Sequence, residues 1–138
     1  MIKSFYTNPD DIPSLPGAYV LAIRIAKPLT VIIARHRASI LPAGRYLYCG
    51  SAKGPGGLKS RLERHVQRGK TIRWHVDQLT ENGTVEGAWI FPSGDECDLV
   101  AVLSHLPMPI PGFGSTDCNQ CRSHLLAWSH GISALPTT

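Results

Sequence analysis

No stretch of this sequence stays apolar for the roughly 18 residues that a membrane-spanning helix requires. The first residues also lack the basic and then apolar layout of a secretory signal peptide. No internal repeat and no low-complexity tract is visible. These absences favour a cytoplasmic globular protein without a membrane partner. The 138 residues suffice for one domain, expected to span residues 1–138, that buries roughly 70% of its unfolded surface.

Cysteines are few: Cys49, Cys97, Cys118 and Cys121. In a cytoplasmic chain of this length they are expected to be thiols or metal ligands, not disulfides. Cys118 and Cys121 form a C-x-x-C pair, and His124 follows three residues later. The default expectation is a cysteine cluster that braces the C-terminal loop against the third predicted helix. The alternative is a zinc site, because Cys97, Cys118, Cys121 and His124 are the residue types that bind zinc.

Acidic residues are almost absent from the segment 45–73. It contains eight basic residues and one acidic residue, Glu63, a net charge of +7, whereas the rest of the chain has six basic and nine acidic residues, a net charge of −3. Such a concentration of positive charge favours a polyanionic partner such as nucleic acid. A solvated helix face is the alternative. The predicted nucleic-acid contacts are Lys53, Lys59, Arg64, Arg68, Lys70 and Arg73.

Hydrophobic periodicity and the positions of glycine and proline predict a small α/β sandwich, in which helices flank a twisted and mainly antiparallel sheet. Residues 1–16 are expected to form an irregular lead-in, and residues 107–125 a cysteine-containing loop. The strand 29–34 is expected to form a hairpin with the strand before it. The predicted strands cover residues 17–25, 29–34, 38–41, 45–50 and 84–91. The predicted helices cover 57 to about 69, 72–79 and 96–106, and a short element is expected at 123–129.

Apolar residues at helical spacing predict which helix faces are buried. In the first helix, Leu58, Leu62 and Val66 recur every four residues and are expected to face the sheet. The second and third helices show the same periodicity. Their expected inward residues are Ile72, Val76 and Leu79, and then Leu99, Val102, Leu103 and Leu106.

Residues 48–65 carry the clearest chemical signal. A strand enters a glycine-rich turn and continues into a basic helix, so a tyrosine hydroxyl, flexible backbone amides, an arginine and a histidine meet in one region. Arg61 and His65 are four residues apart, which places them on the same helix face. A guanidinium matches phosphate oxygens, and an imidazole or a phenol can exchange a proton. The segment predicts a phosphodiester site, and core packing of the tyrosine and histidine is the alternative.

These residues resemble the GIY-YIG nuclease superfamily. The two tyrosine signatures are Gly17-Ala18-Tyr19 and Tyr48-Cys49-Gly50, and the helix signature Leu-x-x-Arg-Leu-x-x-His covers residues 58–65. The sequence looks most similar to a poorly characterised branch that is also found fused to archaeal endonuclease III-like proteins. That similarity is carried by residues 50–58, 74–77 and 112–118. The resemblance implies a GIY-YIG-like fold in which the strands between 29 and 41 are an insertion between the two signature strands.

The resemblance also implies a metal-dependent DNA endonuclease in DNA repair or recombination, with RNA as a possible substrate and a repair protein as a possible partner. One tyrosine would take a proton from the attacking water, and Arg61 would bind phosphate. Glu96 would hold one Mg²⁺ or Mn²⁺ ion, unless it only complements the dipole of its helix. The implied catalytic residues are Tyr19, Tyr48, Arg61, His65 and Glu96, with His75 and Asp77 as accessory candidates.

Two other functions remain open at this point. A catalytically weak nucleic-acid-binding module would keep the fold and the basic face but would not hydrolyse DNA. A zinc-braced interaction domain would instead recruit repair enzymes, as the fused relatives suggest.

Overall fold

The computed structural model describes residues 5–114 and 121–128, which form seven strands and three α-helices. The strands are β1 (Phe5–Tyr6), β2 (Gly17–Ile25), β3 (Leu29–Ala34), β4 (Arg37–Leu41), β5 (Gly44–Ala52), β6 (Thr84–Pro92) and β7 (Leu125–Ala127). The helices are α1 (Gly57–Val66), α2 (His75–Asn82) and α3 (Glu96–Val102), and a 3₁₀ turn covers Pro9–Asp11.

Strand β2 is the centre of a five-stranded sheet with the order β1-β6-β2-β5-β7. Each strand pair in this sheet is antiparallel. The run of Tyr, Val, Leu, Ala and Ile in β2 is buried on both faces, because odd positions such as Tyr19 and Leu21 enter one core and even positions such as Val20 enter the other. A central strand covered on both sides requires this nearly continuous apolar sequence.

Helices cover both faces of the sheet. Leu58 and Leu62 of α1 and Leu79 of α2 pack into the core on the face of Tyr19. Val100 of α3 packs into the core on the opposite face, together with Leu103 just after the helix. The predicted fold class, a small α/β domain with a mainly antiparallel sheet and flanking helices, is confirmed. None of the described helices has the length and apolar character needed to cross a bilayer.

The predicted hairpin between β2 and β3 is wrong. Both edges of β2 are occupied, by β5 on one side and by β6 on the other. Strand β3 pairs with β4 instead, in a separate two-stranded sheet. The side-chain amide of Gln78 anchors this small sheet to α2, since it donates to the carbonyl of Ile32 and accepts from its N–H, each at 2.8 Å. The segment 29–41 is therefore a separate β-hairpin that packs against α2, and it does not add a strand to the main sheet.

The predicted helix bounds also need correction. Helix α2 begins at His75 and not at Ile72, because the Asp77 carboxylate accepts the N–H groups of Arg73 and Trp74 and so defines the first turn. Ile72 is half exposed before the helix. Helix α3 ends at Val102, which is 48% exposed and not inward as expected. Helix α1 ends at Val66, which is 41% exposed, so the apolar stripe stops at Leu62 and the next buried residue of the helix is His65.

Leu62→Ala should lower the free energy of unfolding by about 2–5 kcal/mol, because it leaves a cavity between α1 and the sheet. Val66→Ala, one turn further along the same helix, should change it by about 0.5 kcal/mol or less. Urea unfolding followed by circular dichroism measures both. Equal costs for the two variants would contradict the burial of α1 through its Leu62 face.

Candidate active site

Tyr19 of β2 and His65 of α1 form the buried centre of the candidate site. The Tyr19 hydroxyl and Nε2 of His65 are hydrogen-bonded at 2.6 Å, and both residues are only 1% exposed. Burial, assisted by the charge of Arg61, lowers the pKa of His65 to about 3. The imidazole is therefore uncharged at neutral pH, and in the tautomer with its proton on Nδ1, Nε2 accepts a hydrogen bond from the Tyr19 hydroxyl. Nδ1 is buried and has no partner among the described residues.

Tyr48 lies beside this pair on the neighbouring strand. In the antiparallel register of β2 and β5, Tyr19 faces Gly50 and Leu21 faces Tyr48, so the two tyrosines are diagonal neighbours on one face. Their ring centroids are 6.5 Å apart. Burial raises the pKa of both phenols, and the nearby Glu96 carboxylate raises it further. Both hydroxyls therefore keep their protons at neutral pH.

Gly50 makes room for the Tyr19 ring. A Cβ atom at this position would lie 2.5 Å from Cζ of Tyr19, which is too close for any side chain. The glycine of the Tyr-Cys-Gly signature is therefore explained by the ring that lies against it and not by a turn. The tyrosine of one signature and the glycine of the other form a single packed unit.

Arg61 projects from α1 toward the end of β5. Its Nη1 donates to the carbonyl of Ser51 at 2.9 Å, and its Cζ lies 4.6 Å from the centroid of the Trp74 ring. The guanidinium is close enough to Tyr19 to lower the pKa of the phenol, against the larger effect of burial. Beside it is a groove of about 170 Å³, which is lined by Ala52, Gly54, Pro55, Gly57, Ser60, Arg61 and Arg64.

Glu96 is the first residue of α3 and is half buried. The helix cap is supplied by its neighbour Asp95, whose carboxylate accepts the N–H of Cys97 at 2.7 Å. Within residues 5–114 and 121–128, Glu96 has no ion-pair partner. A carboxylate without an ion-pair partner is a ligand type that fits a hard divalent cation.

Three of the six predicted nucleic-acid contacts are used inside the protein. Arg64 forms a two-pronged ion pair with Asp77, with donor–acceptor distances of 2.7 and 2.9 Å. Arg68 donates to carbonyl groups at the end of α2, including that of Gly83 at 2.7 Å. The Lys70 side chain is 5% exposed, and its ammonium group lies 3.5 Å from the Glu81 carboxylate. Lys53 and Arg73 are exposed and Lys59 is half-buried, and their side chains have no hydrogen bond to the described residues.

The two accessory candidates hold the structure together. The buried Asp77 carboxylate accepts from Arg64 and from two backbone N–H groups at the start of α2. His75 accepts the N–H of Gly114 at Nδ1 and donates from Nε2 to the carbonyl of Ile33, each at 2.8 Å. Both side chains thus have internal partners and neither is hydrogen-bonded to Tyr19 or His65, although the Asp77 carboxylate is close enough to raise the pKa of His65 against the larger effect of burial.

The cysteine cluster lies near the other face of the sheet. The ligand atoms of Cys97, Cys121 and His124 all lie within 4.8 Å of one another. Cys118, the remaining member of the predicted cluster, lies outside the described residues. Cys49 is fully buried in β5, and burial raises the pKa of its thiol.

Trp74 is an addition to the predicted site residues. Its ring is 38% exposed and carries the guanidinium of Arg61 at 4.6 Å and that of Arg64 at 4.2 Å. The signal available in the sequence was an aromatic residue directly after a basic segment, which is also typical of core packing. Only the fold shows that both arginines lie against this ring.

A family model described as a domain of unknown function, DUF123, matches residues 18–136. The chain belongs to the DUF123 family. No curated protein and no solved structure matches it. The part of this DUF123 chain that matches contains every residue of the candidate site, from Tyr19 to Glu96.

The Arg64–Asp77 pair predicts a pH-dependent stability. Burial alone would raise the pKa of Asp77, but the hydrogen bonds from Arg64, Trp74 and Arg73 outweigh it and lower the pKa. Asp77→Asn should therefore cost about 3 kcal/mol of unfolding free energy at pH 7, because it leaves Arg64 without its anion. The wild-type advantage should shrink as the pH falls below about 4, where the unfolded carboxyl binds its proton.

Glu63→Gln is the matched control, since Glu63 is an exposed acidic residue adjacent to Arg64. Unfolding free energies of the three proteins between pH 7 and pH 2 provide the measurement. A wild-type advantage over Asp77→Asn that is independent of pH would exclude the ion pair as its source.

Proposed function

We propose that this protein is a metal-dependent DNA endonuclease of the GIY-YIG type, which hydrolyses phosphodiester bonds with an activated water molecule in DNA repair or recombination. The observation that carries the proposal is the 2.6 Å hydrogen bond between Tyr19 and His65, with Arg61 close enough to affect the pKa of both. Tyr48 and Glu96 complete a set of groups that can move a proton and bind a phosphate.

Tyr19 acts as a proton relay in this proposal. Its raised pKa makes a stable phenolate inaccessible at neutral pH. His65 can take the phenol proton once DNA is bound, because the negative charge of the phosphate stabilises the imidazolium and so raises the low pKa of the ring. The phenol then passes its own proton to Nε2 while its oxygen takes a proton from the attacking water. The resulting hydroxide attacks phosphorus, the bond from phosphorus to the leaving oxygen breaks, and the leaving oxygen takes a proton from solvent.

Arg61 binds the phosphate that is attacked. Its guanidinium borders the groove formed by the glycine-rich turn and already has one N–H fixed by the Ser51 carbonyl. That hydrogen bond and the Trp74 ring limit the motion of the side chain, so less entropy is lost when a phosphate binds. A planar guanidinium offers two parallel donors to phosphate oxygens.

Glu96 would hold the divalent cation. When bound, Mg²⁺ or Mn²⁺ supplies positive charge to the phosphate and to the leaving oxygen. The carboxylate suits this role because Asp95 already caps α3 and no described residue neutralises Glu96. Its charge raises the pKa of both phenols, which places it within electrostatic reach of the tyrosines.

A second candidate function is nucleic-acid binding without hydrolysis. The observation in its favour is the burial of the central pair, since Tyr19 and His65 are each only 1% exposed. Catalysis requires an opening that admits water to the Tyr19 hydroxyl, whereas binding requires only the basic surface and the groove. The two functions differ in whether the purified protein cleaves DNA at all.

Glu96→Gln, Arg61→Ala and Tyr19→Phe should each reduce metal-dependent cleavage by roughly 10²–10³-fold, the usual effect of removing one charge-stabilising group. Tyr19→Phe removes only the oxygen that contacts His65. Asp98→Asn is the control for Glu96, because Asp98 is an exposed acidic residue in the same helix turn. It should cleave like wild type.

Cleavage is measured on labelled nicked, branched and damaged DNA with Mg²⁺ or Mn²⁺, and circular dichroism confirms that each variant is folded. A wild type that binds these substrates but cleaves none of them would favour the binding module. Equal activity in wild type and Glu96→Gln would remove the metal role of Glu96.

Lys53→Ala and Lys59→Ala should each weaken DNA binding at low salt and reduce the slope of log affinity against log salt by about 1, as expected for the loss of one phosphate contact. The control is Lys27→Ala. Lys27 is exposed and follows the end of β2 that is opposite to Lys53 and Lys59. Fluorescence anisotropy at several salt concentrations measures all three. An affinity that does not change with salt would mean that this surface is only solvated.

A further inference from the structure

We propose that Cys97, Cys121 and His124 bind a structural zinc ion that fixes the start of α3 against β5. This inference does not depend on the nuclease proposal. The three residues come from two distant parts of the chain, and their ligand atoms lie within 4.8 Å of one another. Ligand atoms bound to one tetrahedral zinc are about 3.5–4 Å apart, given zinc–sulfur and zinc–nitrogen bonds of about 2.3 and 2.0 Å. A small inward movement of the three side chains therefore brings their ligand atoms to this spacing.

His124 supplies the observation that points to a ligand. Its side chain is 2% exposed, and neither ring nitrogen has a hydrogen-bond partner in the described part of the chain. Buried polar atoms in proteins are nearly always bonded, and leaving one unsatisfied costs about 1–3 kcal/mol. A metal ion bound to one of the two nitrogens removes part of this cost, because that nitrogen then has a partner. An uncharged imidazole is the form that coordinates metals.

The backbone of His124 is held rigidly. Its N–H donates to the carbonyl of Phe113 at 2.8 Å, and its carbonyl accepts the N–H of Cys49 at 2.9 Å. The imidazole therefore starts from a fixed point beside β5, the strand that carries Tyr48. A ligand on a rigid backbone loses little conformational entropy when it binds a metal.

The other two ligands border an opening to solvent. Cys97 and Cys121 line a cleft of about 400 Å³ between α3 and the segment that precedes β7. This cleft gives an ion access to the thiols. Thiolate and imidazole donors select zinc over Mg²⁺, so this site is chemically distinct from the oxygen donors around Glu96.

The location of the site predicts its structural effect. Cys97 directly follows Glu96 in the first turn of α3. An ion shared by Cys97 and His124 would connect that turn to β5, and so fix the position of the Glu96 carboxylate relative to Tyr48. The site would therefore contribute to stability and orient a neighbouring side chain without touching a substrate.

The test is the metal content of the untagged full-length protein, purified without chelator and measured by inductively coupled plasma mass spectrometry. We expect about one zinc per chain in wild type and in Cys49→Ala, the control for a buried cysteine outside the cluster. Cys97→Ser and Cys121→Ser should each retain roughly a tenth or less. A chelator should lower the melting temperature of wild type but not that of Cys97→Ser.

Reconstitution with Co²⁺ provides a second readout that does not depend on the folding of a variant. A thiolate-to-cobalt charge-transfer band in wild type supports the site. The proposal is overturned if wild type carries no zinc and gives no such band, or if zinc remains bound in both cysteine variants. It is equally overturned if intact mass shows that Cys97 and Cys121 have lost two hydrogen atoms to a disulfide.

Discussion

The packing of the Tyr19 ring between Gly50 and His65 fixes the relative positions of β2, β5 and α1. The ring lies so close to Gly50 that a single methyl group there would displace it. The Tyr19 hydroxyl is hydrogen-bonded to His65 of α1, a helix that begins only seven residues after Gly50. The site is therefore built into the main hydrophobic core and does not lie in a loop above it. This explains why its groups have strongly shifted pKa values, since the burial that orients them also removes water. The same burial means that the proposed hydrolysis requires access for a water molecule to the Tyr19 hydroxyl.

Much of the fold could be predicted from the sequence where the signal is local. The bounds of β2 and β3 agree with the apolar runs, and α1 begins at Gly57 as the glycine-rich turn indicates. The partner of β3 could not be predicted in this way, because it depends on which strand edges are already occupied. The start of α2 was missed for a related reason. The Asp77 carboxylate accepts the N–H groups of Arg73 and Trp74. The helix therefore begins after these residues, although the apolar periodicity starts at Ile72.

The candidate site was predictable to a similar extent. The two tyrosines, Arg61 and His65 lie together, as the spacing and the resemblance predicted, whereas their catalytic roles stay predictions. The basic surface is smaller than the charge count suggests, because Arg64, Arg68 and Lys70 have internal partners. Charge counting cannot separate an arginine that binds a carboxylate in the core from one that faces solvent. The distinction needs the positions of Asp77, Glu81 and the carbonyl groups at the end of α2.

The internal use of these basic side chains has a consequence for the order of folding. Arg64 and Asp77 are separated by 13 residues, Arg68 and Gly83 by 15, and Lys70 and Glu81 by 11. Closing such short loops costs little chain entropy, whereas the bond between Tyr19 and His65 must close a loop of 46 residues. We therefore expect the pair α1–α2 to assemble early as a local unit, with β2 joining afterwards. In this sequence of events the basic helix is formed first, and the phenol that completes the site arrives last.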